Sequence, residues 1–257
     1  MKVKNVILIA ARLKSSRLEK KIIKKIAGKE LLIHLIERLK LVKSKPEIIV
    51  CTSINKQDRP INKLCKKINI KCFNGSENDV MGRFISALKY FEIIPENIVR
   101  ITADNCLIAY ELIDKAFELH FQEEADVTLM KNFPPGMSGE IISYKYFKEL
   151  YKNVEDPSSS EYMTWMLDRP DLCKVITFKD DEFNRPNYRL TCDTPEDFTL
   201  LQTIFKNLYS GKPISSKNVI TFLDKNSHLL KINNSISQIN YEDVKEHINV
   251  RVKPFKK

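Results

Sequence analysis

The chain has 257 residues, of which 43% are hydrophobic and 30% charged, and its formal net charge is +10. This length suits one large domain or two small ones. The lysines are spread along the whole length and no basic segment alternates with stacking aromatics, so a nucleic-acid partner is disfavoured. No signal peptide or membrane-spanning run is visible, so we expect a cytoplasmic protein without a membrane partner.

The six cysteines and four histidines are dispersed and form neither a CxxC pair nor an HExxH motif. Several cysteines lie within apolar segments, as in EIIVCT, which is typical of small, reduced core residues. A zinc enzyme and a disulfide framework are therefore both disfavoured.

The first apolar run, Val6 to Ala10, has the length of a buried strand and leads directly into a loop of cations and hydroxyls. In an open α/β sheet, ligands bind just past the carboxyl ends of the strands. The donors in this loop suit a polyphosphate, although a merely solvated loop stays open as an alternative. They are Arg12, Lys14, Ser15, Ser16, Arg17, Lys20 and Lys21.

This loop lacks the glycines of the common nucleotide-binding motifs. Neither GxxxxGK[ST] nor GxGxxG occurs in the chain, which disfavours a P-loop NTPase and a Rossmann dehydrogenase.

The elements that follow alternate between helix and strand. Apolar spacing predicts helices over 28–43, 56–68, 80–91 and 112–121, the third capped by Asn78 or Asp79. Apolar runs predict strands over 46–52, 70–73, 98–102 and 125–130, with a turn at 74–75 after the second. Such alternation predicts a parallel sheet covered on both faces.

A Pro/Gly-rich loop over 132–139 is the clearest break in the chain. After it we expect strands over 140–144, 173–178 and 188–191, and helices over 146–152, 160–167 and 215–223. Thr194 and the residues PED after it predict a well-capped helix to about 208. The polar remainder from 225 is expected to lie over the surface or to reach a partner.

Two carboxylates follow strand-like segments that begin with arginine: Asp104 follows RIT and Asp193 follows RLTC. Mg²⁺ bound to a nucleoside triphosphate requires such hard oxygen ligands. Each residue also has a purely structural interpretation, because Asp104 could only end a strand and Asp193 could only cap the next helix.

Four segments, in the same order, resemble motifs of the acylneuraminate and KDO cytidylyltransferases, most closely the branch of spore-coat polysaccharide protein F. Residues 11–21, ARLKSSRLEKK, resemble A-R-x-G-S-[ST]-R-L-P-x-K, and 73–83, FNGSENDVMGR, resemble F-x-G-S-x-x-D-V-L-x-R. RITAD at 100–104 resembles R-[IV]-T-G-D, and RLTCDTPED at 189–197 resembles R-x-T-V-D-x-P-E-D.

The resemblance implies a three-layer α/β/α nucleotidyltransferase fold around a mostly parallel, Rossmann-like mixed sheet. It implies a nucleotidyltransferase domain over 1–210, in which 132–185 serves substrate binding and dimerisation, followed by a helical and polar extension over 211–257. It further implies a homodimer that uses CTP, Mg²⁺ and an acidic, 2-keto-3-deoxy sugar acceptor.

The resemblance also implies roles for individual residues. Asp104 and Asp193 would bind Mg²⁺. The catalytic residues would be Lys21, Arg12 and Arg17, and Glu140 would contact the sugar. The nucleotide would be bound by Ala10, Arg12, Ser15, Arg17, Lys21, Ser53, Asp79, Arg83 and Ala103.

Some positions depart from the motifs. Lys14 and Ala103 replace glycines and Glu19 replaces a proline. Two alternatives therefore stay open: a nucleotidyltransferase acting on a sugar phosphate or another phosphorylated acceptor, and a non-catalytic relative that binds nucleotide.

Overall fold

The computed structural model describes residues 2–255, in which a seven-stranded sheet forms the middle layer. Its strands are β1 (Lys2–Ala10), β4 (Glu47–Ser53), β5 (Lys71–Gly75), β6 (Ile94–Thr102), β7 (Val127–Met130), β8 (Glu140–Ser143) and β9 (Val175–Phe178). A separate hairpin joins β2 (Lys25–Ile26) to β3 (Lys29–Glu30). The strand order is β5-β4-β1-β6-β8-β7-β9, and the pairs are parallel except those that β8 forms.

Helices cover both faces of this sheet. They are α1 (Leu31–Leu39), α2 (Arg59–Lys67), α3 (Val80–Tyr90), α4 (Tyr110–Gln122), α5 (Tyr144–Asn153), α6 (Met163–Leu167), α7 (Pro195–Leu208), α8 (Ser216–Lys225) and α9 (Tyr241–Val244). Apolar residues of α1, α2, α4, α7 and α8 pack in one core, and those of α3, α5 and α6 pack in the other. The structure confirms the predicted three-layer fold with a mostly parallel, mixed sheet.

The central strand β1 explains this layering. Successive side chains of a strand point to opposite faces. Ile7 and Ile9 accordingly belong to one core and Val6 and Leu8 to the other, and all four are fully buried. Burial on both faces produces the continuous apolar run seen in the sequence.

Three sequence predictions were wrong in detail. Asn74 and Gly75 are the last residues of β5, since they pair with Thr52 and Ser53 of β4, and do not form a turn. Residues 188–191 lie outside the strands because they pair with a loop: the Leu190 N–H donates to the Pro135 carbonyl. The helix predicted from residue 28 begins at Leu31, because the β2–β3 hairpin takes the preceding residues.

The C-terminal part folds back over the molecule. Val219, Ile220 and Leu223 of α8 lie in the first core. Farther along, Val252 forms an isolated antiparallel bridge with Val154, and the Asn249 N–H donates to Ser159 Oγ. The predicted division at residue 210 stays a prediction. No helix within residues 2–255 is both long and apolar enough to cross a membrane.

Candidate active site

The carboxyl ends of the parallel strands β1, β4, β5 and β6 meet at one edge of the sheet. A cavity of about 370 Å³ opens there. The loop after β1, the loop after β6 and the segment before α7 supply much of its wall. Predicted site residues that line it are Ala10, Arg12, Ser15, Arg17, Lys21, Arg83, Ala103, Asp104 and Asp193.

Lys21 joins the two predicted metal ligands at the centre of this wall. Its Nζ lies 2.6 Å from Asp104 Oδ2 and 2.6 Å from Asp193 Oδ1. Although the sequence separates these residues widely, the parallel strands bring their loops to the same edge. The three side chains are partly buried, so water screens their interaction less than at an open surface.

The electrostatics of this triad favour the ionised forms. Burial alone would lower the pKa of Lys21, but the two carboxylates outweigh burial and raise it above its ordinary value. Burial alone would raise the pKa of Asp104, but the Lys21 ammonium lowers it overall. The ammonium and the Asp104 carboxylate are therefore both charged at neutral pH.

Local backbone geometry places Lys21 at this position. Lys20 adopts the left-handed conformation with φ 53°, and its N–H donates to the Leu13 carbonyl over 3.3 Å. A short 3₁₀ turn, Lys21–Ile23, follows, and its Ile22 side chain is anchored in the core. The turn thus closes the cationic loop and directs Lys21 towards the carboxylates.

The two arginines of the loop are held by carboxylates. Arg17 Nη2 lies 3.4 Å from Asp193 Oδ2, and Arg12 Nη2 lies 2.6 Å from Glu161 Oε2. Both guanidinium groups remain about two-fifths exposed and line the cavity. They are therefore available to an anionic ligand.

Asp193 is in turn positioned by Arg189. The buried guanidinium donates to both carboxylate oxygens of Asp197, over 2.8 and 3.0 Å, and to Asp193 Oδ2 over 2.8 Å. Asp197 also accepts from the backbone N–H of Thr194, which completes a capping box at the start of α7. Burial alone would raise the pKa of Asp197, but hydrogen bonds from Arg189 and Asn233 lower it.

Two predicted nucleotide ligands lie outside the cavity wall and have structural partners. Ser53 donates to the buried carboxyl group of Asp58, whose other oxygen accepts from the Leu13 N–H over 2.7 Å. Asp79 accepts from the Gly82 N–H and from the Tyr151 hydroxyl, and so caps α3. Their predicted direct roles in nucleotide binding remain predictions.

The loop between β5 and α3 forms the opposite wall. Arg83 is almost fully buried, and its Nη1 donates to the carbonyls of Ser76 and Glu77. Lys14 faces this loop across the cavity, with its Nζ 3.5 Å from Glu77 Oε1. Arg83 thus shapes the loop in addition to lining the cavity.

Glu140 lines a second cavity, which adjoins the first. Arg100 lines both, and its Nη1 donates to Glu140 Oε1 and Oε2 over 2.8 and 3.1 Å. Thr164 also donates to Glu140 Oε1, over 2.5 Å. Glu140 begins β8, which runs antiparallel to β6 and therefore starts at the ligand-binding edge of the sheet. The second cavity could hold a molecule beside one bound in the first.

The carboxylates fit a hard cation. Asp104 Oδ1 is buried and has no hydrogen-bond partner among the described residues, and Asp193 shares the Lys21 ammonium with Asp104. Residues 2–255 contain no group of three or more His, Cys, Asp or Glu arranged to hold a metal. A cation bound by Asp104 and Asp193 would therefore complete its shell with phosphate and water oxygens, as Mg²⁺ commonly does.

Sequence reasoning missed several residues of the first cavity. Glu161 and Tyr162 reach it from the turn before α6, and Ile239 reaches it from the C-terminal extension. The extension docks nearby through Tyr241, whose ring lies edge-on to Trp165, itself stacked on Tyr162. No local motif marks these residues, because they come together only through long-range packing.

A mostly parallel sheet with a cationic loop and two carboxylates at its carboxyl edge defines a nucleotidyltransferase-like α/β protein. A model of the cytidylyltransferase family matches residues 6–231. The chain therefore belongs to the cytidylyltransferase family, and it is a CTP-dependent nucleotidyltransferase.

Relatives agree with this assignment. The chain is 36% identical over 241 residues to an uncharacterised protein of Methanocaldococcus jannaschii, covering 93% of this chain and 98% of the relative. It is 28% identical over 226 residues to the spore coat polysaccharide biosynthesis protein SpsF of Bacillus subtilis, covering 85% of this chain and 93% of that one.

Solved structures share the fold. A cytidylyltransferase from Leptospira borgpetersenii superposes with a TM-score of 0.81 at 27% identity, covering 92% of this chain and 99% of that one. A CMP:2-keto-3-deoxy-manno-octonic acid synthetase complexed with CTP superposes with a TM-score of 0.60 at 14% identity, covering 79% of this chain and 99% of that one. The second likeness extends to the fold alone.

Proposed function

We propose that this chain is a Mg²⁺-dependent cytidylyltransferase that transfers CMP from CTP to a hydroxyl of an acidic sugar, namely a 2-keto-3-deoxy sugar acid, and releases pyrophosphate. The observation that carries the proposal is the Lys21 ammonium held between Asp104 and Asp193 at the base of a cationic cavity. The product would serve the synthesis of surface polysaccharide.

The charges around the first cavity support a triphosphate ligand. Six cationic side chains and four carboxylates line it, so it has a positive balance. Arg12 and Arg17 on the loop after β1 would hold phosphate oxygens through charge-assisted hydrogen bonds, and the Ser15 hydroxyl would add a further donor. Arg83, Ala10 and Ala103 line the same space and would enclose the nucleoside.

Asp104 and Asp193 would bind Mg²⁺, which when bound neutralises charge on the phosphate oxygens. The acceptor hydroxyl would release its proton to solvent water as its oxygen bonds to the α-phosphorus, and the bond from that phosphorus to the bridging oxygen of pyrophosphate would break, so that pyrophosphate leaves. Lys21 would stabilise the charge that develops on the α-phosphoryl group and on the departing pyrophosphate.

The second cavity supports the placement of the acceptor. It adjoins the first at Arg100, and Glu140 lies within it, so a sugar bound there would meet the nucleotide near Lys21. Lys131 and Arg100 supply cationic donors for a carboxylate, and Glu140 supplies an acceptor for sugar hydroxyls. By its family resemblance, the enzyme would act as a homodimer joined through 132–185, which sedimentation of the purified chain tests.

Pyrophosphate release by the purified protein tests the proposed reaction. With CTP and Mg²⁺ we expect release with at least one sugar acid from a panel, and none with UTP, ATP or GTP. Asp104→Asn should abolish release, while Glu118→Gln, at an exposed site outside both cavities, should retain it. Release that persists in Asp104→Asn would refute the metal assignment, and release with sugar phosphates alone would refute the acceptor class.

A further inference from the structure

Lys14 is the most exposed cationic side chain at the first cavity. Its side chain is 68% exposed, against 43% for Arg12 and 13% for Lys21. Its 3.5 Å ion pair with Glu77 is also longer than the 2.6 Å contacts of those two residues. Lys14 is thus the cation most easily moved to a new partner.

Glu77 is held in place independently of Lys14. Asn55 Nδ2 donates to Glu77 Oε2 over 2.5 Å, which fixes the carboxylate at the cavity wall. The other oxygen, Oε1, is buried and has no hydrogen-bond partner within residues 2–255, so it faces Lys14 through charge alone. A pair whose lysine is this exposed contributes little, because water screens the ammonium and the lysine loses rotamer freedom.

A triphosphate is a stronger partner than Glu77 for this ammonium. It carries several charged oxygens, whereas Glu77 offers one carboxylate. Lys14 lies between Arg12 and Arg17 on the loop and lines the same cavity, so its flexible four-carbon stem starts beside the groups that would hold phosphate.

We propose that Lys14 is a further ligand for the two phosphates of CTP that leave as pyrophosphate, and that Glu77 competes with them for its ammonium. This inference rests on the proposed binding of CTP in the first cavity. In the free enzyme Lys14 pairs with Glu77, and on nucleotide binding it moves to the triphosphate. The competition sets the affinity for CTP.

Titration calorimetry with CTP and with CMP, in Mg²⁺ buffer without acceptor, tests this proposal. Lys14→Gln should raise the Kd for CTP about fivefold, as expected for the loss of one solvent-exposed ionic contact, and should leave the Kd for CMP within about twofold. Lys25→Gln is the matched control, since it removes the same charge shortly after this loop at an exposed side chain outside the cavity wall, and it should change neither value.

The variant Glu77→Gln provides a second test of the proposal. Its amide oxygen can still accept from Asn55, but its charge no longer attracts Lys14, so the Kd for CTP should fall about twofold. An unchanged Kd for CTP in Lys14→Gln would overturn the proposal, as would equal weakening of CTP and CMP, which would indicate a distorted loop. Weaker CTP binding in Glu77→Gln would overturn the claim that Glu77 competes with CTP for the Lys14 ammonium. A wild-type protein that binds no CTP would refute the proposed function as well.

Discussion

The backbone N–H of Leu13 donates to Asp58 Oδ1 over 2.7 Å, and this buried contact ties the loop after β1 to the start of α2. Asp58 is fully buried, and its second oxygen accepts from Ser53 at the end of β4. The cationic loop is thereby fixed to two elements of the scaffold, although neither Asp58 nor Ser53 lines the first cavity.

We expect Asp58→Ala to destabilise the protein by about 2–4 kcal/mol, because the buried Leu13 N–H and Ser53 O–H both lose their acceptor. The KM for CTP should rise about tenfold as the loop loses its position. Asp58→Asn keeps an oxygen for Leu13 and should recover most of both losses. Thermal unfolding and steady-state kinetics give the two measurements; equal KM values in both variants would contradict the positioning role.

The Arg189 guanidinium donates to both Asp197 and Asp193, so we expect its planar arrangement of donors to be essential for the stability of the fold. Arg189→Lys should cost about 2–4 kcal/mol of unfolding free energy, because one ammonium cannot satisfy both the buried Asp197 carboxylate and the partly buried Asp193 carboxylate. Denaturant titration measures this loss. Arg185→Lys, at the more exposed bidentate pair with Asp224, is the matched control and should cost under about 1 kcal/mol. Similar losses of unfolding free energy in both variants would contradict the special role assigned to the Arg189 guanidinium.

Glu140 should affect the acceptor and not the nucleotide. We expect Glu140→Gln to raise the KM for the sugar about tenfold, because the side chain loses charge beside Arg100 in the second cavity. The KM for CTP should stay within about twofold. Steady-state kinetics with each substrate varied in turn separates the two effects. Glu149→Gln, at a solvent-facing ion pair, serves as the control, and a rise confined to CTP would contradict the placement of the acceptor.

Buried His120 should make stability depend on pH. Burial lowers its pKa to about 4, from an ordinary value of 6.5. The unfolded chain therefore binds this proton more readily between pH 6.5 and 4. Stability from this group is complete above pH 6.5 and declines as the pH falls towards 4, by up to about 3 kcal/mol.

His120→Gln should flatten this decline, because glutamine can keep the hydrogen bonds to Thr128 and Asn97 but does not titrate. Free energies of unfolding measured at several pH values between 4 and 7 provide the test. His228→Gln, at an exposed position, should leave the slope unchanged. A slope unaltered by His120→Gln would assign the pH dependence to other groups.

Local signals predicted much of the fold. The apolar run of β1 indicated a strand buried on both faces, and Thr194 with the acids after it indicated the start of α7, where the capping box is found. Asp104 follows the end of β6, and Asp193 lies just before the cap of α7, so both were found from the segments that they follow. Such features depend on neighbours within a few residues and are therefore visible in the sequence.

The rest of the site depends on contacts between distant parts of the chain. Leu13 and Asp58 are 45 positions apart, and nothing local identifies Asp58 as the residue that fixes the loop. Residues 188–191, YRLT, were predicted to form a strand, but the Leu190 N–H donates to the Pro/Gly-rich loop. Glu161 and Ile239 reach the first cavity from segments whose placement only the assembled fold determines.

The contact between Asn249 and Ser159 has a consequence for the order in which the molecule folds. These residues are 90 positions apart, and Ser159 lies in the same turn as Glu161, which pairs with Arg12. While the chain emerges from the ribosome, β1 to β6 can pair early, but Asn249 reaches that turn only after the 90 positions that separate the two residues have been made. The wall of the cavity that carries Glu161 should therefore become ordered later than the paired strands β1 to β6 in each newly made molecule.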